Sequence, residues 1–548
     1  MQSATYSRGS GSRQQNSPVL TSNKGDSLQK LKLSQGEVMS VRNGTALLLA
    51  LCALTFLIAC GGSSSPKVTP PPSGGFTNSS LNGTYVVSFS GIDYNLSSNT
   101  SSFFALVGTL TTDGNGNITG GTVDLNDPEI GGLFVGQAVS HNTYSVTTDG
   151  RGTGTLVTPQ GAFGIDFVLT SNGHGLITRF DGLGSGSGTM DLQTSASQTS
   201  LQSLAFSLTG TDSSGFALGS VGGLTLDSAG NVTSGTQDFN DGGSSAGLTN
   251  LSLTVPGSSV VLASSTQGTA QLDSNFGSLS FDVWVIDSTH LKLIETDSSA
   301  NVLAGDAFTQ QTSIPAGTLA FTLGGFDSQS APFVAGGLLT SDGNGNLSGF
   351  EDFNDSGTST VTTAPNVAGT CTLVGGRCQI ALTGFSNGSL QAFQYAAYPS
   401  SGGIQLLEVD SFGLTQGAAY VQTSTSFSTP QGYGLNLTGI DLNSGFEVDD
   451  IAEFTAQNGG LTGIVDINDG GTVFKQSLGS GSTYTPDSPA NGRGSISTAQ
   501  FGLEYYTVDS STVIFIEGDN SQIALGTFQL QNTSSAPGLA QPAVSMLR

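Results

Sequence analysis

Basic side chains are scarce in this chain of 548 residues, which has 14 Lys and Arg against 40 Asp and Glu and a formal net charge of −26. A surface with this imbalance repels polyanions, so nucleic acid is excluded as a partner. Charged residues make up only 10% of the chain, so the acidic excess does not indicate a disordered polyanion.

Histidine and cysteine are also rare, at three and four residues, which leaves little material for metal-dependent or nucleophilic catalysis. The sequence has no His-Glu-x-x-His string and no phosphate-binding loop with a lysine. Two Gly-x-Ser-x-Gly strings, at 243–247 and 384–388, are expected by chance in a chain with 79 glycines. The sequence therefore predicts that the protein is not an enzyme, with a hydrolase as the weaker alternative.

Long apolar runs are absent apart from one stretch, Thr45 to Ala59, which follows Arg42 and ends at Cys60. Its length of about 15 residues fits the apolar region of a signal peptide and falls short of the about 20 residues of a membrane span. Leu57-Ile58-Ala59-Cys60 resembles the lipobox of a bacterial lipoprotein signal peptide. The resemblance implies that Cys60 is lipidated, that the chain is cut before it, and that the exported protein is held to a membrane by lipid.

The segments around the lipobox are assigned by composition. Residues 1–38 are polar and are predicted to be a disordered extension or a mis-called start, and Met39 begins the signal peptide at 39–60. Residues 61–80 form a Ser/Pro/Gly tether, and 533–548 a disordered tail. Because Gly61 rather than Asp follows the cysteine, the lipoprotein resemblance implies the outer membrane of the bacterial cell envelope.

The remainder of the chain repeats itself four times. The clearest mark, Asp-(Leu/Phe/Ile)-Asn-Asp, is evenly spaced and starts at Asp124, Asp238, Asp352 and Asp466. Every copy opens with a strand that ends in Gly-x-Asp and closes with a strand that ends at a glutamine: Gln193, Gln310, Gln422 and Gln531. The period is far longer than the about 20–50 residues of a solenoid repeat and matches a domain. Four β repeats are therefore predicted at 81–194, 201–311, 314–424 and 429–532.

Apolar stretches alternate within each copy with glycine-rich turns such as Asp113-Gly-Asn-Gly-Asn117. This pattern predicts about eight strands joined as consecutive hairpins, with no helix. An eight-stranded meander closes naturally into an up-and-down barrel. The predicted fold is all-β, with four tandem antiparallel barrels and a β-sandwich as the alternative. Short joints such as Thr312-Ser313 favour a semi-rigid rod.

Two cysteines remain once Cys52 is assigned to the leader and Cys60 to the anchor. Cys371 and Cys378 flank the turn signal Val374-Gly375-Gly376, so they should face each other across a hairpin. Because an exported protein can keep a disulfide, the sequence predicts a Cys371–Cys378 bridge.

The outer aspartates of each mark are the candidate metal ligands, because carboxylates are the ligands that calcium prefers. They are Asp124, Asp127, Asp238, Asp241, Asp352, Asp355, Asp466 and Asp469. The sequence predicts no cofactor, with calcium as the one alternative; without it, these side chains cap turns where a strand stops.

A second set of carboxylates ends the seventh strand of copies 2 to 4, at Glu295, Glu408 and Glu517. Each continues an apolar stripe, so an inward-facing stripe would place the glutamate near a barrel mouth, where it needs a partner. These residues are candidate ligand contacts, with a hydrogen-bonded strand end as the alternative. Copy 1 has Arg179 at this place.

These features together predict a non-catalytic binding, adhesion or spacer module at the surface or in the periplasm, with an unknown protein or glycan partner. Tethered copies raise the effective concentration for a multivalent partner. The alternative is a protein that binds small ligands inside its barrels.

Overall fold

The computed structural model describes residues 75–533, except 96–99, 243–246, 276, 298, 357–359 and 387–388. Cys60 and its signal peptide, the leader and the tail lie outside the described residues, as do parts of both Gly-x-Ser-x-Gly strings. Within the described part, no helix is long and apolar enough to cross a membrane. Regular structure there is β apart from three 3-10 helices: Asn78–Ser80, Pro128–Ile130 and Gln198–Ser200. The all-β prediction is confirmed.

Barrel 1 has nine strands but only eight strand positions around the barrel, because two short strands share one position. β4 and β5 both pair with β3, so they are the halves of a broken fourth strand, and β1 pairs with the last strand to close the barrel. The strands are β1 (Asn82–Asn95), β2 (Thr100–Asp113), β3 (Asn117–Asp127), β4 (Gly132–Ala138), β5 (Asn142–Val146), β6 (Arg151–Thr158), β7 (Gly161–Ser171), β8 (His174–Arg179) and β9 (Ser187–Leu192).

Barrel 2 follows the same plan. Its fourth strand is broken into β13 and β14, and an antiparallel bridge between Asn231 and Ser259 connects the second half to β12. The strands are β10 (Ser203–Thr211), β11 (Ala217–Leu226), β12 (Val232–Asp241), β13 (Leu248–Ser252), β14 (Ser259–Leu262), β15 (Gln267–Asp273), β16 (Ser278–Asp287), β17 (His290–Glu295) and β18 (Val302–Thr309).

Barrel 3 is closed by eight continuous strands. They are β19 (Gly317–Asp327), β20 (Pro332–Ser341), β21 (Asn346–Asp355), β22 (Thr360–Val374), β23 (Arg377–Ser386), β24 (Ser389–Ser400), β25 (Gly403–Glu408) and β26 (Gly413–Val421).

Barrel 4 returns to the broken fourth strand, here β30 and β31, which both pair with β29. Its strands are β27 (Gln431–Asp441), β28 (Glu447–Gln457), β29 (Gly460–Asp469), β30 (Thr472–Ser477), β31 (Thr483–Pro486), β32 (Arg493–Ser497), β33 (Gly502–Thr507), β34 (Thr512–Glu517) and β35 (Gln522–Leu530). The prediction of four antiparallel meander barrels is therefore confirmed.

Each barrel is filled by its own hydrophobic core, made by the residues that alternate inward along the strands. The segment before the first strand adds to that core: Phe76 packs into barrel 1, Leu201 into barrel 2 and Phe427 into barrel 4. The linkers are thus held against the barrels that they precede.

The four barrels pack side by side in a closed ring, which overturns the prediction of a rod. Barrel 1 packs on barrel 2 through β2 and β18, barrel 2 on barrel 3 through β11 and β24, and barrel 3 on barrel 4 through β20 and β34. The ring closes because β28 of barrel 4 packs on β8 of barrel 1. We call these contacts the first, second, third and closing joints. The rod was predicted from linker length alone, and linker length says nothing about contacts between barrels 1 and 4.

Glycine allows the barrel walls to come close at the joints. A Cβ on Gly336 would lie 2.5 Å from the Tyr506 ring at the third joint. A Cβ on Gly434 would lie 2.9 Å from Val168 at the closing joint. Because real Cβ atoms do not approach this closely, these positions need a residue without a side chain.

Strand direction sorts the repeated sequence marks onto the two ends of the ring. The first strand of each barrel rises to Gly-x-Asp, the third rises to Asp-x-Asn-Asp, and the seventh rises to the glutamate or Arg179. We call this the mark end. The eighth strand descends to the glutamine, so the chain enters and leaves every barrel at the opposite end, the linker end.

Candidate functional site

The asparagine of each Asp-x-Asn-Asp mark reaches into the next barrel and donates to backbone carbonyls there. Asn126 donates to the oxygen of Asn301 at 3.0 Å. Asn240 donates to Glu408 and Gly413 at 2.7 and 2.8 Å. The remaining two do the same: Asn354 to Glu517, Asp519 and Gln522, and Asn468 to Arg179 and Gly184. The repeated mark thus clamps every joint at the mark end.

The first aspartate of each mark is buried, and at the first three joints it accepts hydrogen bonds from side chains of the following barrel. Asp124 accepts from Trp284 Nε1 at 2.9 Å. Asp238 accepts two bonds from the Arg377 guanidinium, at 2.6 and 2.8 Å, and one from Tyr398 OH at 2.6 Å. At the third joint Arg493 and Tyr506 donate to Asp352. At the closing joint Asp466 accepts from Lys475 of its own barrel at 2.9 Å, and its Oδ1 lies 3.6 Å from the Arg151 guanidinium of barrel 1.

Two of the last aspartates interact within their own barrels. Asp127 accepts from the backbone N–H of Glu129 at 3.0 Å, and Asp469 accepts from Ser444 Oγ at 2.9 Å. Burial, reinforced by Asp93, raises the pKa of Asp127 to about 7. Among the described residues, no group of three or more His, Cys, Asp or Glu is placed to hold a metal ion. Calcium at the eight marked aspartates stays a prediction.

The three strand-end glutamates are fully buried and each finds a donor in its own barrel. Glu295 accepts from Ser299 Oγ and Glu408 from Thr415 Oγ1, both at 2.7 Å, and Glu517 accepts from the Gly502 N–H at 2.9 Å. Burial raises the pKa of Glu295 to about 7 and holds those of the other two well above their usual range. A ligand contact at these residues stays a prediction.

The closing glutamines make the matching clamp at the linker end. Gln193 donates to Val285 O at 2.9 Å across the first joint, and Gln422 to Thr507 O at 2.9 Å across the third. Gln310 donates to Gly376 O at 3.2 Å. Gln531 completes the set by donating to Asp149 O and Leu169 O in barrel 1, at 2.7 and 3.0 Å. This glutamine recurs at the same place in every copy, which was the sequence signal for the joints. The function of the glutamine could not be inferred from the sequence, because the sequence does not show the joints.

Cys371 and Cys378 form a disulfide, with their Cα atoms 5.7 Å apart. Gly375 and Gly376 form the turn between β22 and β23, and both have positive φ. The bridge therefore links two strands of barrel 3 beside the hairpin turn that the sequence predicted.

The closing joint differs from the others because carboxylates crowd its barrel-4 side. Its shared apolar cluster has just Val168, Leu176 and Ile451. Glu447 crosses the joint, accepting from the Ile92 N–H at 2.8 Å and from Ser185 Oγ. Burial raises the pKa of Glu447 to about 7 and of nearby Glu453 to about 8.

An open cleft of about 650 Å³ lies at the mark end of the first joint. Barrel 1 contributes the start of β2 and the segment after β3, and barrel 2 contributes the turn after β10 and the turn before β18. The lining includes Ile92, Ser102, Phe103, Asn126, Thr211, Asp212, Asp297 and Val302. The volume lies in the range of about 300–1,000 Å³ typical of small-molecule sites.

A cavity inside barrel 3 is much smaller. It has about 30 Å³ and is walled by apolar side chains such as Phe321, Leu382 and Leu406. That is about the volume of one water molecule. Among the described residues of barrel 3, this cavity has no room for a small organic ligand, and the larger cleft outside the barrels is the better candidate site.

No protein-family model matches the chain, and no curated protein sequence matches it. The structure is similar to kievitone hydratase from Nectria haematococca, with 10% identity and a TM-score of 0.16, over 41% of this chain and 91% of that chain. It is also similar to a variant of the vaccine antigen transferrin binding protein B from Haemophilus parasuis, with 10% identity and a TM-score of 0.17, over 70% of this chain and 84% of that chain. At such TM-scores neither likeness carries an argument about fold or function.

Proposed function

We propose that the chain is a lipid-anchored, exported protein of the bacterial cell envelope that binds a ligand without transforming it. The observation that carries the binding role is the cleft at the first joint, which is large enough for a small molecule. It lies at the mark end, opposite the end where the described chain enters barrel 1. The anchor rests on the lipobox at Cys60, with the outer membrane as the proposed location.

The surroundings of two of the three histidines support a non-catalytic role. His174 pairs with Asp191, and His290 pairs with Asp306, each at 2.6 Å. Neither histidine is among the residues that line the cleft. A general base needs to be within reach of the bound substrate, and these two are committed to buried pairs elsewhere.

The joints favour one rigid platform over four independent adhesion modules. The repeated Asn and Gln side chains and the first Asp of the first three marks are engaged between barrels, so they are poorly available to an outside partner. The four barrels form a ring and not the rod that a spacer role would need. Multivalent binding through the marks is therefore less well supported than binding at one cleft.

Two experiments test the proposal. Metabolic labelling with a palmitate analogue should label the wild-type chain and leave Cys60→Ser unlabelled. Full-length protein in detergent should then be screened against envelope saccharides and peptides by thermal shift, and any stabilising compound recovered for mass spectrometry. Recovery of the compound unchanged is expected. A chemically altered compound, or equal labelling of both chains, contradicts the proposal.

A further inference from the structure

We propose that the cleft at the first joint is a binding site for a short neutral saccharide. This inference rests on the proposed function and deepens it by naming the ligand class and the site. Three observations carry it: described side chains occupy the equivalent position at the other joints, the polar lining of the cleft has no cation, and its floor is apolar.

The first observation is that equivalent space is filled at the other joints. The residue between glycine and aspartate in the Gly-x-Asp mark is Thr211 in barrel 2, but Phe326, Ile440 and Ile92 in the other barrels. Phe326 packs with Ala217 and Leu414 at the second joint.

Ile440 packs with Val334 and Ile523 at the third joint. At the closing joint the Glu447 carboxylate occupies the equivalent space, where it accepts a hydrogen bond from the Ile92 N–H. The first joint has the small Thr211 instead, and there the cleft is open.

The asparagine of the mark also makes fewer hydrogen bonds at this joint than at the other joints. Asn126 donates to one carbonyl, whereas Asn240 and Asn468 each donate to two and Asn354 to three. Asn126 lines the cleft. An amide group has two N–H donors, so Asn126 keeps one for a ligand hydroxyl.

The second observation concerns the polar lining. No Lys or Arg is among the residues that line the cleft. Asp297 accepts backbone N–H bonds on both oxygens, from Ser280 and Ser299, and Asp212 accepts two on one oxygen. These carboxylates hold their own turns. The cleft therefore offers hydroxyl, amide and carboxylate groups and no cation, which suits a neutral polyol and disfavours an anion.

Ser102 strengthens this assignment. It lines the cleft, and its Oγ is buried without a hydrogen-bond partner. A buried hydroxyl without a partner is costly, and a turn of the Ser102 side chain into the cleft would let a ligand hydroxyl supply one.

The third observation is the apolar floor. Ile92, Phe103 and Val302 line the cleft and are almost completely buried. Small-molecule sites combine such apolar walls with a few convergent polar groups. A sugar ring has both an apolar C–H face and polar hydroxyl edges, so it matches both parts of the lining.

The test is isothermal titration calorimetry on the full-length protein in detergent. The probes are maltotriose, cellotriose and triacetylchitotriose, with trigalacturonate as the anionic comparison. Thr211→Phe places in the cleft the residue that copy 3 has at this position, so it should fill the site without disturbing the fold. Ser102→Ala removes one hydroxyl from the cleft, and Ser477→Ala, on exposed β30, is its matched control.

We expect at least one neutral trisaccharide to bind saturably. Thr211→Phe should weaken that binding at least tenfold with an unchanged melting temperature, Ser102→Ala should weaken it several-fold, and Ser477→Ala should leave it unaltered. If no neutral probe binds, or if Thr211→Phe binds like wild type, the saccharide site is wrong. Tight binding of another ligand that survives Thr211→Phe would overturn the cleft assignment but leave the proposed binding function standing.

Discussion

Asn468 donates from Nδ2 to the carbonyl oxygen of Arg179 at 2.7 Å, although the two residues are 289 positions apart in the chain. The bond joins barrel 4 to barrel 1, where no linker connects the barrels. It repeats the contact that Asn126, Asn240 and Asn354 make at the joints that a linker does cross. The closing joint therefore belongs to the same series, and the mark recurs because every copy binds the next.

Asn468→Ala should weaken the closing joint. It leaves the buried carbonyl oxygens of Arg179 and Gly184 without this donor, which costs about 1–3 kcal/mol. We expect a lower urea midpoint and, before global unfolding, a larger radius of gyration by small-angle X-ray scattering as barrel 4 separates from barrel 1.

The control for this variant is Asn443→Ala, in an exposed turn of barrel 4. Its side chain crosses no joint, so its effect should stay within about 0.5 kcal/mol. Equal scattering profiles and midpoints for Asn468→Ala and wild type would show that the clamp does not hold the ring closed.

The barrels could be predicted from sequence because their information is local. A turn such as Asp113 to Asn117 and the apolar strands beside it specify a hairpin, and consecutive hairpins specify a meander. The ring could not be predicted in this way, because Asn468 and Arg179 are far apart in sequence. Copy-to-copy identity of the asparagine and glutamine revealed that they matter, but only the packed barrels reveal what they bind.

The candidate site was missed for a related reason. The residues that all four copies share are those of the marks. The cleft depends instead on Thr211, a position at which copy 2 differs from the other copies. Without a joint to place it in, a threonine at the end of a strand has no visible consequence.

Arg377→Met should be strongly destabilising. Asp238 is fully buried and accepts two bonds from the Arg377 guanidinium. Removing the cation leaves a buried carboxylate without its charge partner, which costs about 3–5 kcal/mol. The measurement is the free energy of unfolding from urea titration.

The double variant Asp238→Asn/Arg377→Met tests the cause. It removes both charges and keeps a polar group for Tyr398 OH, so it should recover much of the loss. If the double variant loses as much unfolding free energy as the two single variants lose together, charge pairing is not what stabilises the second joint.

Trp284 is the single tryptophan of the chain and reports on the first joint. It is 3% exposed, and its Nε1 donates to Asp124 Oδ2 at 2.9 Å. Asp124→Ala leaves the indole N–H without this acceptor, at a cost of about 1–3 kcal/mol. The red shift of tryptophan emission should then occur at a lower urea concentration.

The comparison variant is Asn115→Ala, in an exposed turn of barrel 1 away from the joint. It should keep the emission midpoint of wild type. Identical emission midpoints for Asp124→Ala and wild type would argue against a stabilising role for the Trp284–Asp124 bond.

The carboxylates of barrel 4 should make the ring less stable as pH rises. Burial raises the pKa of Glu447 to about 7 and that of Glu453 to about 8, both from 4.5, and holds that of Asp450 well above its usual range. Between about pH 5 and 8 the folded chain therefore keeps protons that the unfolded chain has released. Stability falls with rising pH where the folded state binds more protons, by about 1.4 kcal/mol for each unit of pKa difference.

The melting temperature should accordingly decrease from pH 5.5 to pH 8.5 in differential scanning fluorimetry. Glu453→Gln removes one titrating group, so its melting temperature should decrease less over this range. Asp227→Asn should follow the wild-type slope, because hydrogen bonds from Asn231 lower the pKa of this exposed carboxyl, and it stays ionised throughout. A melting temperature that rises with pH, or a Glu453→Gln slope equal to that of wild type, would show that these buried carboxyls are not what makes stability depend on pH.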